Sequence, residues 1–319
     1  MTEKQIDFWL RRQFSPIGWV LLGYYLLIYL MTAITMALEQ AKQTLWSYGV
    51  GDFFPVYDWD AIYNNGWGYI TAGLVLLLIL YSWKGPDYWL RQVTVKENRM
   101  RPGVLLSAMI FCAGAQLLSG IWIAALEAVA NAFGYSLMPL LEGVSGATGS
   151  KSLFLYSSVA APIVEELLFR GYILRTLRPY GRRFAIIGSA LLFGLSHGNL
   201  LQLPYACIAG LVLGYLAAEY SIGWAIVLHV FNNLVLAEGL TRLTEQLPVM
   251  EAELVTGLVF GLSFLVSIVI LAAKARWLRA WRKNEWVDRR CVKCLLTSLG
   301  VMTLSSFLLG SIVGTLYPG

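Results

Sequence analysis

A chain of 319 residues in which 58% are hydrophobic and 13% charged is too apolar for a soluble domain, and it repeats apolar runs near the length that crosses a ~30 Å hydrocarbon core. Its net charge of +5 does not mark a nucleic-acid binder, because the basic residues lie between the apolar runs, where they act as topology determinants. The composition describes an all-α, polytopic membrane bundle of about eight to nine transmembrane helices.

Lys4, Arg11 and Arg12 precede an apolar run over 17–38. That run is too long for the core of a signal peptide and no small-residue cleavage site follows it, so it is a retained first span. The 39–66 stretch collects Trp46, Phe53, Phe54, Tyr57, Trp59 and Tyr63 and is expected to pack onto the outer membrane interface. A second run covers 67–83. Between it and the third run at 103–134 lies a basic loop in which Tyr88, Trp89 and Leu90 suggest a short stretch along the cytoplasmic surface. The third run exceeds what a bilayer needs, which places Glu127, near its far end, at the outer interface rather than in the core.

The fourth run, 152–177, differs from the rest because Glu165, Glu166 and Arg170 interrupt it. Charges at membrane depth cost several kcal/mol each and persist where a partner or a function holds them. On a helix Glu166 and Arg170 are i,i+4 neighbours and can form a buried, charge-assisted pair. Glu165 is turned about 100° away from that pair and needs a different partner or an aqueous pocket, the setting of a general base.

Five further runs follow at 183–199, 202–220, 222–240, 254–275 and 293–316, nine in all. Loops at 84–101, 175–183 and 274–293 are rich in Arg and Lys, while 39–66 and 241–253 are acid-dominated. The alternation gives a cytoplasmic N-terminus and an external C-terminus. In the sixth run Ala206, Gly210, Gly214 and Ala218 recur every four residues, a face that lets another helix approach closely. Of the four cysteines, Cys112 and Cys207 lie within runs and Cys291 and Cys294 share a basic loop; without a second ligand pair they form no structural zinc site, and no disulfide framework is expected.

The only two histidines, His197 and His229, both fall inside predicted spans, the first and third after the glutamates. Phe193 precedes His197 by four residues, and Asn233 follows His229 by four. A carboxylate and an imidazole can share one water, Glu165 taking its proton while His197 orients it, with His229 and Asn233 as neutral donors to an oxyanion. The other arrangement is a zinc ion on Glu165, His197 and His229 with an open fourth position. No H-E-x-x-H helix supports the metal, so the metal-free route is preferred, with no cofactor and zinc as the alternative.

The E-E-x-x-x-R string at Glu165, Glu166 and Arg170, the F-x-x-x-H string at Phe193 and His197, and the H-x-x-x-N string at His229 and Asn233 resemble, in order, the three motifs of the CPBP intramembrane proteases, the family of type II CAAX prenyl proteases and Abi bacteriocin-immunity proteins. The resemblance covers about residues 150–240 and implies an intramembrane glutamate protease. In it the positions of Glu165 and His197 activate water, those of His229 and Asn233 form the oxyanion site, and Glu166 and Arg170 hold the site together. It divides the chain into N-terminal helices with an aromatic outer loop (1–150), a catalytic core (151–240) and C-terminal helices (241–319).

The expected partners are a peptide or membrane-protein substrate and the lipid bilayer, in the cell membrane of a bacterium. A non-catalytic scaffold or immunity protein of the same fold is the alternative, but it would have no chemical reason to keep a free glutamate and both histidines in lipid. A proton-coupled transporter is the third reading, against which no paired halves with matching broken helices appear.

Overall fold

The computed structural model describes residues 2–50, 57–138, 140–141, 149–284, 287–313 and 317–318. Among these, α-helix is the dominant element, and the only strands are a two-residue antiparallel pair, β1 (Tyr135–Ser136) with β2 (Tyr317–Pro318). Helix α1 runs Glu3–Gly49 and opens on a reciprocal cap, the Thr2 hydroxyl accepting from the Gln5 amide while the Gln5 side chain accepts from Thr2. At 1.5 Å per residue it is roughly 70 Å long, so the expected first span at 17–38 is the middle of a helix that projects well beyond a bilayer.

After α1 come α2 (Trp59–Tyr63), α3 (Trp67–Lys84), α4 (Pro86–Tyr88) with a π-turn over Trp89–Val93, and α5 (Pro102–Ala132). The glutamate run is a composite of α6 (Lys151–Leu155), a π-turn Tyr156–Ala160, α7 (Ala161–Glu166), a second π-turn Leu167–Ile173 and α8 (Leu174–Leu177). Then follow α9 (Arg182–Leu195), α10 (Leu203–Glu219), α11 (Ile222–Phe231) with a π-turn Asn232–Gly239, α12 (Leu240–Thr244), α13 (Val249–Ala273), α14 (Ala275–Asn284), α15 (Arg289–Leu296) and α16 (Leu299–Val313).

Among the described residues six helical stretches are long and apolar enough to cross a membrane, and a seventh appears if α15 and α16, bent by 59°, count as one span. The fifth and sixth apolar runs are helical but short, α9 having 14 residues and α10 having 17. Three expectations need correction. The basic loop at 274–293 is mostly helix, α14 and α15, and Cys291 and Cys294 lie three apart on the buried side of α15. Second, α9 stops at Leu195, so His197 occupies the turn after it rather than the span itself. The third concerns the Tyr88 region, which is not only interfacial: the Tyr88 hydroxyl donates to the Gly171 carbonyl at 2.8 Å and Val93 is fully buried, though Leu90 stays exposed. Glu127 accepts from the Ser136 hydroxyl and the Leu137 amide, at 3.0 and 2.8 Å. In the aromatic stretch Trp59 stacks on Tyr63, whereas Phe53 and Phe54 lie outside the described residues.

The bundle is organised around the composite glutamate helix. Every residue from Leu168 to Leu174 is buried, so this part of the helix is enclosed on all sides. Helix α13 is the opposite case: Ser267 is its one buried residue, and the rest of its apolar length is at least partly open to the surroundings of the bundle. Helix α1 crosses α16 at Gly18 and Gly300; a Cβ on Gly18 would lie 2.0 Å from the Gly300 backbone, so only glycine permits this approach. The Gly300 amide adds a hydrogen bond to Ser15 Oγ at 3.0 Å. On α10 the small-residue face packs as expected, a Cβ on Gly210 meeting Ala190 of α9 at 3.0 Å.

Candidate active site

Proline sets the shape of the first motif. Pro162 has no N–H to give the carbonyl four residues back, and the Ala161 amide bonds instead to Tyr156, five residues back. The resulting π-turn is one of two flanking Glu165 and Glu166, a geometry that recurs at functional sites. The two glutamates separate as the helical spacing demands. The Glu166 side chain is fully buried, whereas that of Glu165 keeps 23% of its surface exposed.

Glu166 Oε1 accepts from Arg170 Nη1 at 2.8 Å and from His229 Nδ1 at 2.9 Å. Arg170, also fully buried, spends Nη2 on the Gly210 carbonyl at 3.1 Å and lays its guanidinium over the Phe193 ring, 4.6 Å from the centroid. Phe193 in turn meets both histidines edge-on, His197 at 4.9 Å and His229 at 5.6 Å between centroids. One aromatic ring therefore holds the spacing of both imidazoles and of the buried cation.

His197 Nδ1 lies 2.9 Å from the Phe193 carbonyl. A carbonyl only accepts, so Nδ1 carries a proton, and in the neutral ring Nε2 is then the acceptor. The turn itself is fixed: Asn199 Nδ2 donates to the His197 carbonyl at 3.0 Å, Gly198 takes φ +66°, and the Tyr25 hydroxyl from α1 donates to the Ser196 carbonyl. By the same reasoning His229 Nδ1 donates to Glu166, which turns Nε2 toward Glu165 Oε2 at 3.7 Å. Asn233 Nδ2 donates to the Ser157 carbonyl at 2.9 Å, leaving one N–H of the amide uncommitted to that bond.

Glu165, His197, His229 and Asn233 all line one cavity of about 490 Å³. Sequence reasoning missed several of its polar neighbours. Asn232 donates to Asn233 Oδ1 at 3.0 Å and accepts from the Tyr205 hydroxyl; buried Glu238, paired with Arg242 at 2.6 Å, also faces the space. An Asn-Asn pair with an acid five residues further on is visible in the sequence; all three lie in the π-turn over 232–239 and line the cavity. Among the described residues no group of three or more His, Cys, Asp or Glu side chains is placed to hold a metal ion.

Residues 148–235 match the family model described as type II CAAX prenyl endopeptidase Rce1-like, a protease family. This stretch contains all three motifs, and the match agrees with the CPBP family they resemble. No curated protein and no solved structure matches the chain.

Proposed function

We propose that the chain is an intramembrane endopeptidase that hydrolyses a peptide bond with a glutamate-activated water. The observation that carries this reading is the convergence of Glu165, His197, His229 and Asn233, from three separate segments, on one cavity inside an apolar bundle. Water bound between Glu165 and the unprotonated Nε2 of His197 gives its proton to the Glu165 carboxylate as its oxygen attacks the peptide carbonyl carbon. The carbonyl oxygen becomes an oxyanion opposite the free N–H of Asn233 and the ring of His229, which supports it through Nε2–H when protonated. Collapse of that intermediate breaks the C–N bond, and the proton held by Glu165 passes to the leaving amine.

Glu166, Arg170 and Phe193 take no part in bond making; they hold His229 and His197 in register. We count the short helices α9 and α10 as spans, and with the bent α15–α16 pair this gives a bundle of eight to nine. We read the charge alternation as setting the N-terminus on the cytoplasmic side, and we take the membrane to be a bacterial cell membrane. The core at 151–240 carries the chemistry between flanking helices at 1–150 and 241–319, and no cofactor takes part.

The family description makes a C-terminal CAAX-type peptide the first substrate to try. Purified protein in proteoliposomes should release the C-terminal fragment from either a prenylated or an unprenylated CAAX peptide, read by mass spectrometry. Failure to cut both, or any membrane-protein substrate in a proteome-wide comparison, would leave the scaffold reading in its place.

A further inference from the structure

Glu165 and His197 line a second cavity, of about 320 Å³, besides the one already described. Its walls are Tyr24, Tyr25 and Tyr29 of α1, Tyr69 of α3 and Tyr156 of the first π-turn, closed by Leu21, Ile28 and Phe169. Tyr156 stacks on Tyr69 with centroids 4.8 Å apart, and the Tyr25 hydroxyl is tied to the Ser196 carbonyl next to His197. Tyr24, Tyr25 and Tyr156 share this space with the Glu165 carboxylate. Neither His229 nor Asn233 reaches this space.

That division constrains which reactant can occupy which side. A peptide carbonyl must face the oxyanion donors, so it belongs in the larger cavity, whose wall they form. The smaller one touches only the two groups that activate water. It is far larger than a single water requires, and tyrosine hydroxyls offer the several polar partners a buried water needs. A membrane-embedded hydrolase also has to bring a polar reactant to a site enclosed by lipid and protein.

Resting on the protease reading above, we propose that the tyrosine-lined chamber is a water chamber that feeds Glu165 and His197 from the side opposite the peptide. Helix α1, outside the stretch that matches the family model, thereby supplies part of the catalytic apparatus. Tyr24 and Tyr156 are its positioning residues, holding water against Glu165 without touching the peptide.

The test has one arm that does not depend on turnover. In a variant with all four native cysteines replaced, Ile28→Cys, which faces the chamber, is treated with a small charged methanethiosulfonate; Leu26→Cys on the exposed face of α1 is the reference. The reactive thiolate forms only where water reaches, so Ile28→Cys should react at least roughly tenfold faster. The second arm keeps the native cysteines. Ile28→Trp, which fills the chamber, and the Tyr24→Phe/Tyr156→Phe double variant should each lower kcat by roughly tenfold or more at unchanged KM, whereas Leu236→Trp in the larger cavity should raise KM.

Equal labelling of the two cysteines, or an unchanged kcat in the filled variant, overturns the water chamber while peptide hydrolysis still stands. Rapid labelling of Ile28→Cys in a protein that cuts no peptide overturns the protease reading and the delivery role with it.

Discussion

Glu166 reaches across the bundle to His229: its Oε1 accepts from His229 Nδ1 at 2.9 Å while holding Arg170 Nη1 at 2.8 Å. One buried carboxylate oxygen therefore joins the first motif to the third. Glu166→Gln keeps the shape but strands the Arg170 charge and lets the His229 ring choose its tautomer. Breaking one side of a buried pair costs about 3 to 5 kcal/mol, so a clearly lowered Tm together with lost activity is expected in thermal unfolding and turnover assays. An unchanged Tm would mean that the pair carries no structural load.

Phe193 contacts Arg170, His197 and His229 at once. Phe193→Ala removes a buried aromatic and should cost about 3 to 5 kcal/mol, whereas Phe193→Tyr keeps the ring. We expect the alanine variant to unfold at lower temperature and to lose activity, and the tyrosine variant to retain more of both. Similar Tm values for the two would show that the ring is not what spaces the histidines.

Asn233 is assigned to oxyanion support, and its deletion has a kinetic signature. Asn233→Ala should lower kcat by about 10²–10³ with little change in KM, because an oxyanion donor acts on the transition state and not on the bound peptide. A change confined to KM would move Asn233 to substrate binding.

Gly18 and Gly300 allow α1 to cross α16 at backbone contact. Gly18→Leu cannot fit there without separating the two helices. Because α1 carries Tyr25, which anchors the turn of His197, the variant should lose activity although Gly18 lines neither cavity. Normal turnover in a folded Gly18→Leu protein would uncouple α1 from the site.

Activity should survive exhaustive treatment with a membrane-compatible chelator, and elemental analysis should find well under one zinc per chain. A three-ligand zinc site exchanges its ion through the open position, so loss of activity that Zn²⁺ restores would reassign Glu165, His197 and His229 as ligands.

Much of the core was legible because charges in apolar runs are conspicuous. The i,i+4 spacing of Glu166 and Arg170 gave their contact, and four-residue steps gave the α10 packing face. The link from Glu166 to His229 was not legible, since it joins residues 63 apart through tertiary packing. Nor was the position of His197: Leu200 and Leu201 resume the apolar run after Ser196-His197-Gly198-Asn199, which hides the helix end at Leu195 and the turn at Gly198. The tyrosines of α1 carried no signal in the sequence, because only the fold brings Tyr24, Tyr25 and Tyr29 to the chamber that Glu165 also lines.

The most direct test of the account is hydrolysis by Glu165→Gln measured beside its thermal unfolding. The substitution preserves size and removes only the proton acceptor, so it should abolish peptide cleavage at a wild-type Tm, in contrast to Glu166→Gln. Cleavage by Glu165→Gln at a rate near that of the wild type would contradict the central claim that this carboxylate activates the water.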